Sequence, residues 1–454
     1  MRRDHDIQGN ILRGYARHCH AAYLLVSITD PGEARSFLKR LVDDERIATE
    51  CDWGARPATR LNVALTYRGL ERLHPHLHAF TAYGDFIQGM YARARRYLGD
   101  LGDNDPDSWD EPSREGIDAL FTVYGDSDSA RDGAAGALGR ELSTGGFAVS
   151  DDQRADMLEG NREHFGFTDG FSQPALAGVA ETRRSRPGEG VQHSLARRVW
   201  DGGWRDVRVG EFLLGHRDED GVIPGEGEPL LLNGTFMVWR KLEQHVDRFE
   251  RWIAAHASDE PGARTALKAQ ILGRWPDGVS LMRRSATIPP YEVPGDGADV
   301  PHTPTINDFT YRRDAGGLRC PLGAHVRRSN PRDALGFRTE RTRRNRIIRR
   351  GMPYVDDDGA RGLVFVCFNA SITRQFEQIQ GHWLMSGDTF GLGDQRDFLT
   401  AGLDPGQASE RMTIQGDTHE PPRFITRERQ FVTVRGGHYL FVPGIAALRR
   451  IAAG

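Results

Sequence analysis

Three times along the chain a run of strand-forming residues leads directly into an amphipathic helix pattern: "AAYLLVSITDPGEARSFLKRLV" from 21, "GTFMVWRKLEQHVDRFERWIAAH" from 234 and "GLVFVCFNASITRQFEQIQGHW" from 362. In the first, Tyr23 to Ile28 read as a strand, Pro31 opens a helix where its missing N–H is harmless, and Phe37, Leu38 and Leu41 share one face. Long irregular segments such as "VPGDGADVPHTP", drawing on 53 glycines and 23 prolines, separate these units. The pattern predicts α+β domains with helices packed on antiparallel sheets, not evenly repeated short units. At 454 residues the chain exceeds one ordinary core, so two domains are expected, with the crossing in the Gly-, Arg- and Pro-rich stretch between 176 and 235.

Composition narrows the function classes. Sixty lysines and arginines against 64 aspartates and glutamates give a formal charge of -4, so no general attraction to nucleic acid is expected. No apolar run approaches the ~20 residues of a spanning helix, so no membrane partner is expected. "MRRDH" is followed by polar residues and not by the apolar stretch of a secretion signal, which predicts a cytoplasmic protein. Cys19, Cys51, Cys320 and Cys367 form no CxxC pair, and buried free thiols are expected rather than a zinc site or a disulfide framework.

Four stretches carry candidate chemistry. In "NREHFGFTDGFSQPAL", residues 161 to 176, Asp169 sits among Phe165, Phe167 and Phe171, with Gly166 and Gly170 free to turn sharply or approach something flat. An ionised carboxylate in such surroundings needs a cation or a hydrogen-bond donor. In "RCPLGAHVRRSNPR", residues 319 to 332, the imidazole of His325 follows small residues that allow close approach to a flat cofactor, although a lone histidine of this kind is more often structural. "RTERTRRNRIIRRGMPY", residues 338 to 354, holds seven arginines. Most read as a solvated basic face, but Arg349 and Arg350 stand between "II" and "GMPY", so at least one guanidinium is expected to enter an apolar interior and to need an anion there. "HPHLH", His74 to His78, could ligate a metal but reads as a surface turn around Pro75. No P-loop, GxGxxG after a strand, HExxH or GxSxG is present.

Taken in order, "GFTDG", "GAHVRRSNPR" and "IIRRGMPY" resemble the motifs of the dye-decolorizing peroxidases. "DIQGNILRGY", "EFLLGH" and the segment from 362 extend the likeness over nearly the whole chain, closer to the larger members than to the compact bacterial ones. Gly351 stands where compact members often carry an asparagine. The resemblance implies two ferredoxin-like domains, each a four-stranded antiparallel sheet with peripheral helices, over 1–205, carrying the GxxDG motif, and 206–454, binding haem.

The roles that follow are likewise what the resemblance implies. Heme b, iron protoporphyrin IX, would be ligated by His325, whose other ring nitrogen is held by Asp397, or by Asp394. Gly166, Phe167, Thr168 and Gly170 would border the cofactor, Leu363 and Phe365 would crowd its distal side, and Arg327 would pair with a propionate. Asp169 would move a proton between the oxygens of hydrogen peroxide while Arg349 stabilises the charge that develops. An aromatic small molecule, a dye or phenol, would be the reductant, reached through the haem edge or through Tyr354 or Trp383 unless these are packing residues. The resemblance leaves room for a homo-oligomer. The competing readings are a haem-dependent oxygenase or biosynthetic oxidase and a haem-binding or iron-handling protein on the same scaffold.

Overall fold

The computed structural model of the chain describes residues 3–15, 17–51, 57–74, 76–170, 172–179, 206–283, 309–335, 340–416 and 420–454. Phe171, Pro75, Arg338, the segments 180–205 and 293–304, and with them the residue at which the first domain was expected to end, lie outside the described residues.

Each of the three strand-plus-helix units forms. The first is strand β1 (His20–Ile28) and the helix Pro31–Asp43. Asp30 caps that helix, its carboxylate accepting from the N–H groups of Gly32 at 2.8 Å and Glu33 at 3.0 Å, an arrangement worth about 1 kcal/mol. Phe37, Leu38 and Leu41 are buried on the predicted face, each contributing about 1.5–3 kcal/mol by leaving water.

β2 (Thr59–Leu65), β3 (Ala119–Gly125) and β4 (Phe147–Asp156) join β1 in the antiparallel order β4-β1-β3-β2, with the helix Asp128–Thr144 between β3 and β4. The second half repeats this order. β5 (Thr235–Gln244) is followed by the helix Val246–His256, and β8 (Arg361–Asn369) by the helix Thr373–Leu384. The short strands β6 (Ile348–Arg349) and β7 (Met352–Val355) both pair with β8. β9 (Glu410–Ile414) and β10 (Arg423–Arg427) form a separate hairpin, and β11 (Val432–Val442) returns beside β5. Both halves are ferredoxin-like.

They are not two separate sheets, however. Phe441 of β11 pairs with Leu65 of β2, fusing the halves into one nine-stranded sheet. The sheet curls until β4 packs against β7. Gln153 Nε2 donates across that seam to Asp356 Oδ1 at 3.0 Å. Tyr23, Trp239, Tyr354 and Val366 fill the enclosed side. The termini interlock the halves further: Leu448 and Ile451 of the C-terminal helix Ile445–Ala453 share a core with Phe37 and Leu38. Among the described residues no helix is long and apolar enough to cross a membrane.

Candidate active site

A cavity of about 290 Å³ is lined by one face of β5 and β8, by the loop 161–170, and by the helices His325–Ser329 and Thr373–Leu384. Strand alternation selects its apolar wall, since Leu363 and Phe365 on β8 face it while Val364 and Val366 are buried on the other side. The helix Thr373–Leu384 is wound with π-type bonds, such as Glu377 N–H to the Ile372 carbonyl at 2.9 Å, and gives Phe376, Ile379, Trp383 and Leu384 to the lining.

Asp169 is held by its own loop. Its N–H donates to the Asn161 carbonyl at 2.8 Å, and the N–H of Gly170 donates to its Oδ1 at 2.6 Å. Glu163, a lining residue that motif matching passed over, accepts from the N–H groups of Phe165 and Phe167, each at 2.9 Å, and so pins the turn before Asp169. Phe167 and Thr168 line the cavity, whereas Gly166 and Gly170 do not. Their φ values of 94° and 92° explain them: nothing lies within 4 Å of where a Cβ would stand, so positive φ and not close packing requires glycine. Gly351 is the converse case, where a Cβ would stand 3.0 Å from the Val364 carbonyl oxygen.

Arg349 reaches Asp169 with Nη2 at 3.2 Å from Oδ1. Burial pushes the Asp169 carboxyl up, but the Arg349 charge, the Gly170 N–H and Arg274 outweigh it and hold the group below the ordinary aspartate value. The Gln173 side chain fixes the Arg349 backbone from both sides, its Nε2 donating to the carbonyl at 2.8 Å and its Oε1 accepting from the N–H at 3.1 Å.

His325 Nδ1 lies 3.1 Å from Asp397 Oδ2, which commits that nitrogen and leaves Nε2 for the cavity that the imidazole lines. Asp397 is fully buried and also accepts from Thr400 N and Oγ1, at 2.8 and 2.7 Å. Burial works against its charge, but His325, Arg328 and Thr400 prevail and hold the carboxyl at about 2. Asp394, the alternative acceptor, is exposed and pairs with Arg411.

Several expectations need correction. Arg327 does not line the cavity; its Nη1 is 3.0 Å from Asp314 Oδ2 and 2.7 Å from the Cys320 carbonyl, and its guanidinium lies 4.4 Å from the Tyr311 ring centroid. Two residues along a helix is roughly 200° of rotation, so the turn that gives His325 to the cavity carries Arg327 to the other face. The guanidiniums that do gather are those of Arg274, Arg332 and Arg346: the first two donate to Ser172 Oγ at 2.6 and 3.3 Å, and the third to its carbonyl at 3.1 Å. Arg332 ends the quoted histidine segment, and its φ of 50°, rare outside glycine, marks a constrained position. Among the described arginines of 338–350, Arg343 and Arg346 are buried and do not belong to a solvated face, while Arg344 keeps 41% of its side chain exposed.

Of Arg349 and Arg350, at least one of which is expected to need an anion in the interior, Arg349 meets one at Asp169, whereas Arg350 is held by carbonyl oxygens. Arg350 donates Nε to the Asn10 carbonyl at 2.9 Å, Nη1 to that of Arg349 at 2.8 Å, and Nη2 to those of Ile11 and Leu12 at 3.1 and 3.4 Å. Carbonyl oxygens of the "IQGNILRGY" segment replace the expected carboxylate, and burial brings the guanidinium down to about 10. Arg350→Met is expected to destabilise the fold by about 3 kcal/mol through orphaned carbonyls, read as a lower urea midpoint at constant slope; an unchanged midpoint would show that these bonds contribute little.

Of the relay candidates, Tyr354 is 2% exposed and its hydroxyl has no partner among the described residues, while Trp383 lines the cavity. His74 and His76 lie on the surface segment, where the N–H of His76 donates to His74 Nδ1 at 3.2 Å. Cys320 and Cys367 are buried free thiols, and Cys19 and Cys51 are half-buried ones.

The chain is similar to known proteins over nearly its whole length. Residues 215–395 match the family described as Dyp-type peroxidase, C-terminal. The chain is similar to Peroxidase 2 of Mycetinis scorodonius, with 27% identity over 98% of this chain and 86% of the relative. It is similar also to the multifunctional dye peroxidase of an Amycolatopsis species, with 28% identity over 98% of this chain and 95% of the relative. Among solved structures it resembles an ancestral D-type dye decolorizing peroxidase, with a TM-score of 0.77, 26% identity and 99% of each chain covered. A dye-decolorizing peroxidase in complex with 2,6-dimethoxyphenol gives a TM-score of 0.76 and 25% identity, again over 99% of each chain.

Proposed function

We propose that the chain is a member of the dye-decolorizing peroxidase family, a haem peroxidase that holds heme b in the 290 Å³ cavity and uses hydrogen peroxide to oxidise aromatic reductants. The single observation that carries this reading is the lining of one cavity by two sets of groups: an imidazole backed by a buried carboxylate, His325 with Asp397, and an acid paired with a guanidinium, Asp169 with Arg349.

The residues present suit a porphyrin dianion. Among the described lining residues five guanidiniums, those of Arg240, Arg274, Arg332, Arg346 and Arg349, stand against two carboxylates, Glu163 and Asp169. Arg240 is matched by buried Asp100 at 2.6 Å, and Arg349 by Asp169. Burial, then the charges of Arg332 and Arg349, bring Arg274 down to about 9. Arg274, Arg332 and Arg346 would meet the propionates, in place of Arg327, and Leu242, Leu399, Val432 and Val434 would cover the apolar macrocycle. Bound there through His325 Nε2, the haem supplies storage for two oxidising equivalents.

The chain's own residues supply the proton chemistry. Asp169, ionised beside Arg349, takes a proton from one oxygen of hydrogen peroxide and returns it to the other as the bond between them breaks. Arg349 offers a fixed positive charge to the departing oxygen, a contribution of about 3–4 kcal/mol where single donors have been removed from comparable sites. Leu363 and Phe365 narrow the cavity so that peroxide fits and a large dye does not, and bulky donors therefore deliver electrons from outside it. The 2,6-dimethoxyphenol complex of a relative supports phenols as one donor class.

Titration of the protein with haem, then with peroxide, then with a dye, tests the proposal. One equivalent of haem is expected to give a sharp Soret band that changes rapidly with one equivalent of peroxide and returns when dye is added. Slow bleaching without return would indicate a haem-binding protein and not a peroxidase.

A further inference from the structure

The loop that carries Asp397 is gripped by two buried arginines from two other elements. Arg328, three residues after His325 on the same short helix, donates Nη2 to the Gln395 carbonyl at 2.8 Å, and Nη1 to those of Trp383 at 3.2 Å and Ser386 at 3.0 Å. Arg427, the last residue of β10, donates Nε to the Phe398 carbonyl at 2.8 Å and Nη2 to that of Ala401. One guanidinium thus holds the chain two residues before Asp397, and the other holds it one and four residues after. Both arginines are 0% exposed. Arg427 is wedged between the Phe398 and Phe431 rings, each centroid 5.4 Å away, and its Nη1 has no protein partner among the described residues.

Neither arginine touches the Asp397 carboxylate, whose oxygens are engaged by His325 and Thr400. Buried guanidiniums spent on main-chain carbonyls are costly to desolvate, and they gain most where the backbone so held must not move. A shift of one ångström in residue 397 would turn the 3.1 Å contact with His325 Nδ1 into no hydrogen bond at all.

We propose that Arg328 and Arg427 are positioning residues that clamp the 395–401 loop, keep the Asp397 carboxylate on Nδ1 of His325, and thereby set how much electron density the imidazole offers the metal. This rests on His325 being the iron ligand. A carboxylate partner makes the imidazole a stronger donor and favours the ferric state, so loosening the clamp weakens donation and moves the ferric/ferrous midpoint potential upward. Loss of a positive charge acting directly through space would move it downward, so the sign separates the two effects.

The test is the midpoint potential of the haem-loaded enzyme in R427M, R427K, D397N and the R427M/D397N double variant. D397N is expected to shift it positive, R427M to shift it positive by less, and the R427M shift to vanish in the D397N background. R427K keeps the charge while losing one of the two carbonyl bonds, so a positive shift from it cannot arise from the field; it also decides the matter if R427M does not fold. A negative shift in R427M, no shift in R427K, or an R427M shift that persists undiminished beside D397N would overturn the clamp. Should D397N itself leave the potential unchanged, and His325→Ala leave the Soret band unaltered, the assignment of His325 would be what has failed.

Discussion

Alanine at His325 is expected to reduce peroxide-driven dye oxidation by more than the ~10–100-fold typical of losing a residue that only orients a metal ligand. The cavity walls and the Arg274, Arg332 and Arg346 cluster remain in this variant, so haem still enters, with a displaced Soret band and weaker retention. The vacated space opens towards Asp397, whose carboxylate holds a proton on whichever imidazole occupies it. Added imidazole should therefore restore part of both the spectrum and the turnover in His325→Ala, and restore less of either when Asp397 is also changed to asparagine. Wild-type spectrum and turnover in His325→Ala would remove the basis for everything assigned to this side of the cavity.

The strand-plus-helix units could be read from the sequence because their signals are local: Pro31 marks a helix start, and Phe37, Leu38 and Leu41 mark its buried face, within a dozen residues. The fused sheet could not, since the junction of the halves is one pairing, Phe441 with Leu65, across most of the chain. The site divides in the same way. Asp169, His325 and Arg349 stand in short motifs that point to a site only through their ordered likeness to a known family, and that likeness leaves Asp397 and Asp394 both open as acceptors for His325 until the fold brings Asp397 to it. The convergence of Arg274, Arg332 and Arg346 on Ser172 has no local signal, because four segments meet there. Arg327 was misplaced by proximity in sequence, where helical phase was the better guide. Arg350 illustrates a different limit: a buried guanidinium announces a need for acceptors, but not that main-chain carbonyls of residues 10–12 will meet it.

The distal pair carries the strongest pH prediction. Arg349 is the largest influence holding the Asp169 carboxyl down, and burial the largest pushing it up. A group so depressed is ionised, and able to act as base, at every pH above its own value, and it loses that ability only as pH falls through it. The rate constant for reaction with peroxide is therefore expected to stay level from neutrality to below the ~3.9 of a free aspartate, where a histidine base would already have failed near ~6.5. Dye turnover should accordingly persist into acid. Arg349→Leu removes the charge that depresses Asp169 while leaving the burial that raises it, so two effects should appear together: a ~10²–10³-fold slower peroxide step and an acid limb displaced to higher pH. Arg349→Lys, which keeps a charge without the planar donor geometry, should show the first effect in reduced form and little of the second. Asp169→Asn has no carboxyl to titrate, and its slower reaction should lack the acid limb altogether. Stopped-flow measurement of the peroxide reaction from pH 3 to 8 separates these cases. A wild-type maximum above neutrality, or an acid limb that survives in Asp169→Asn, would show that some other group moves the proton.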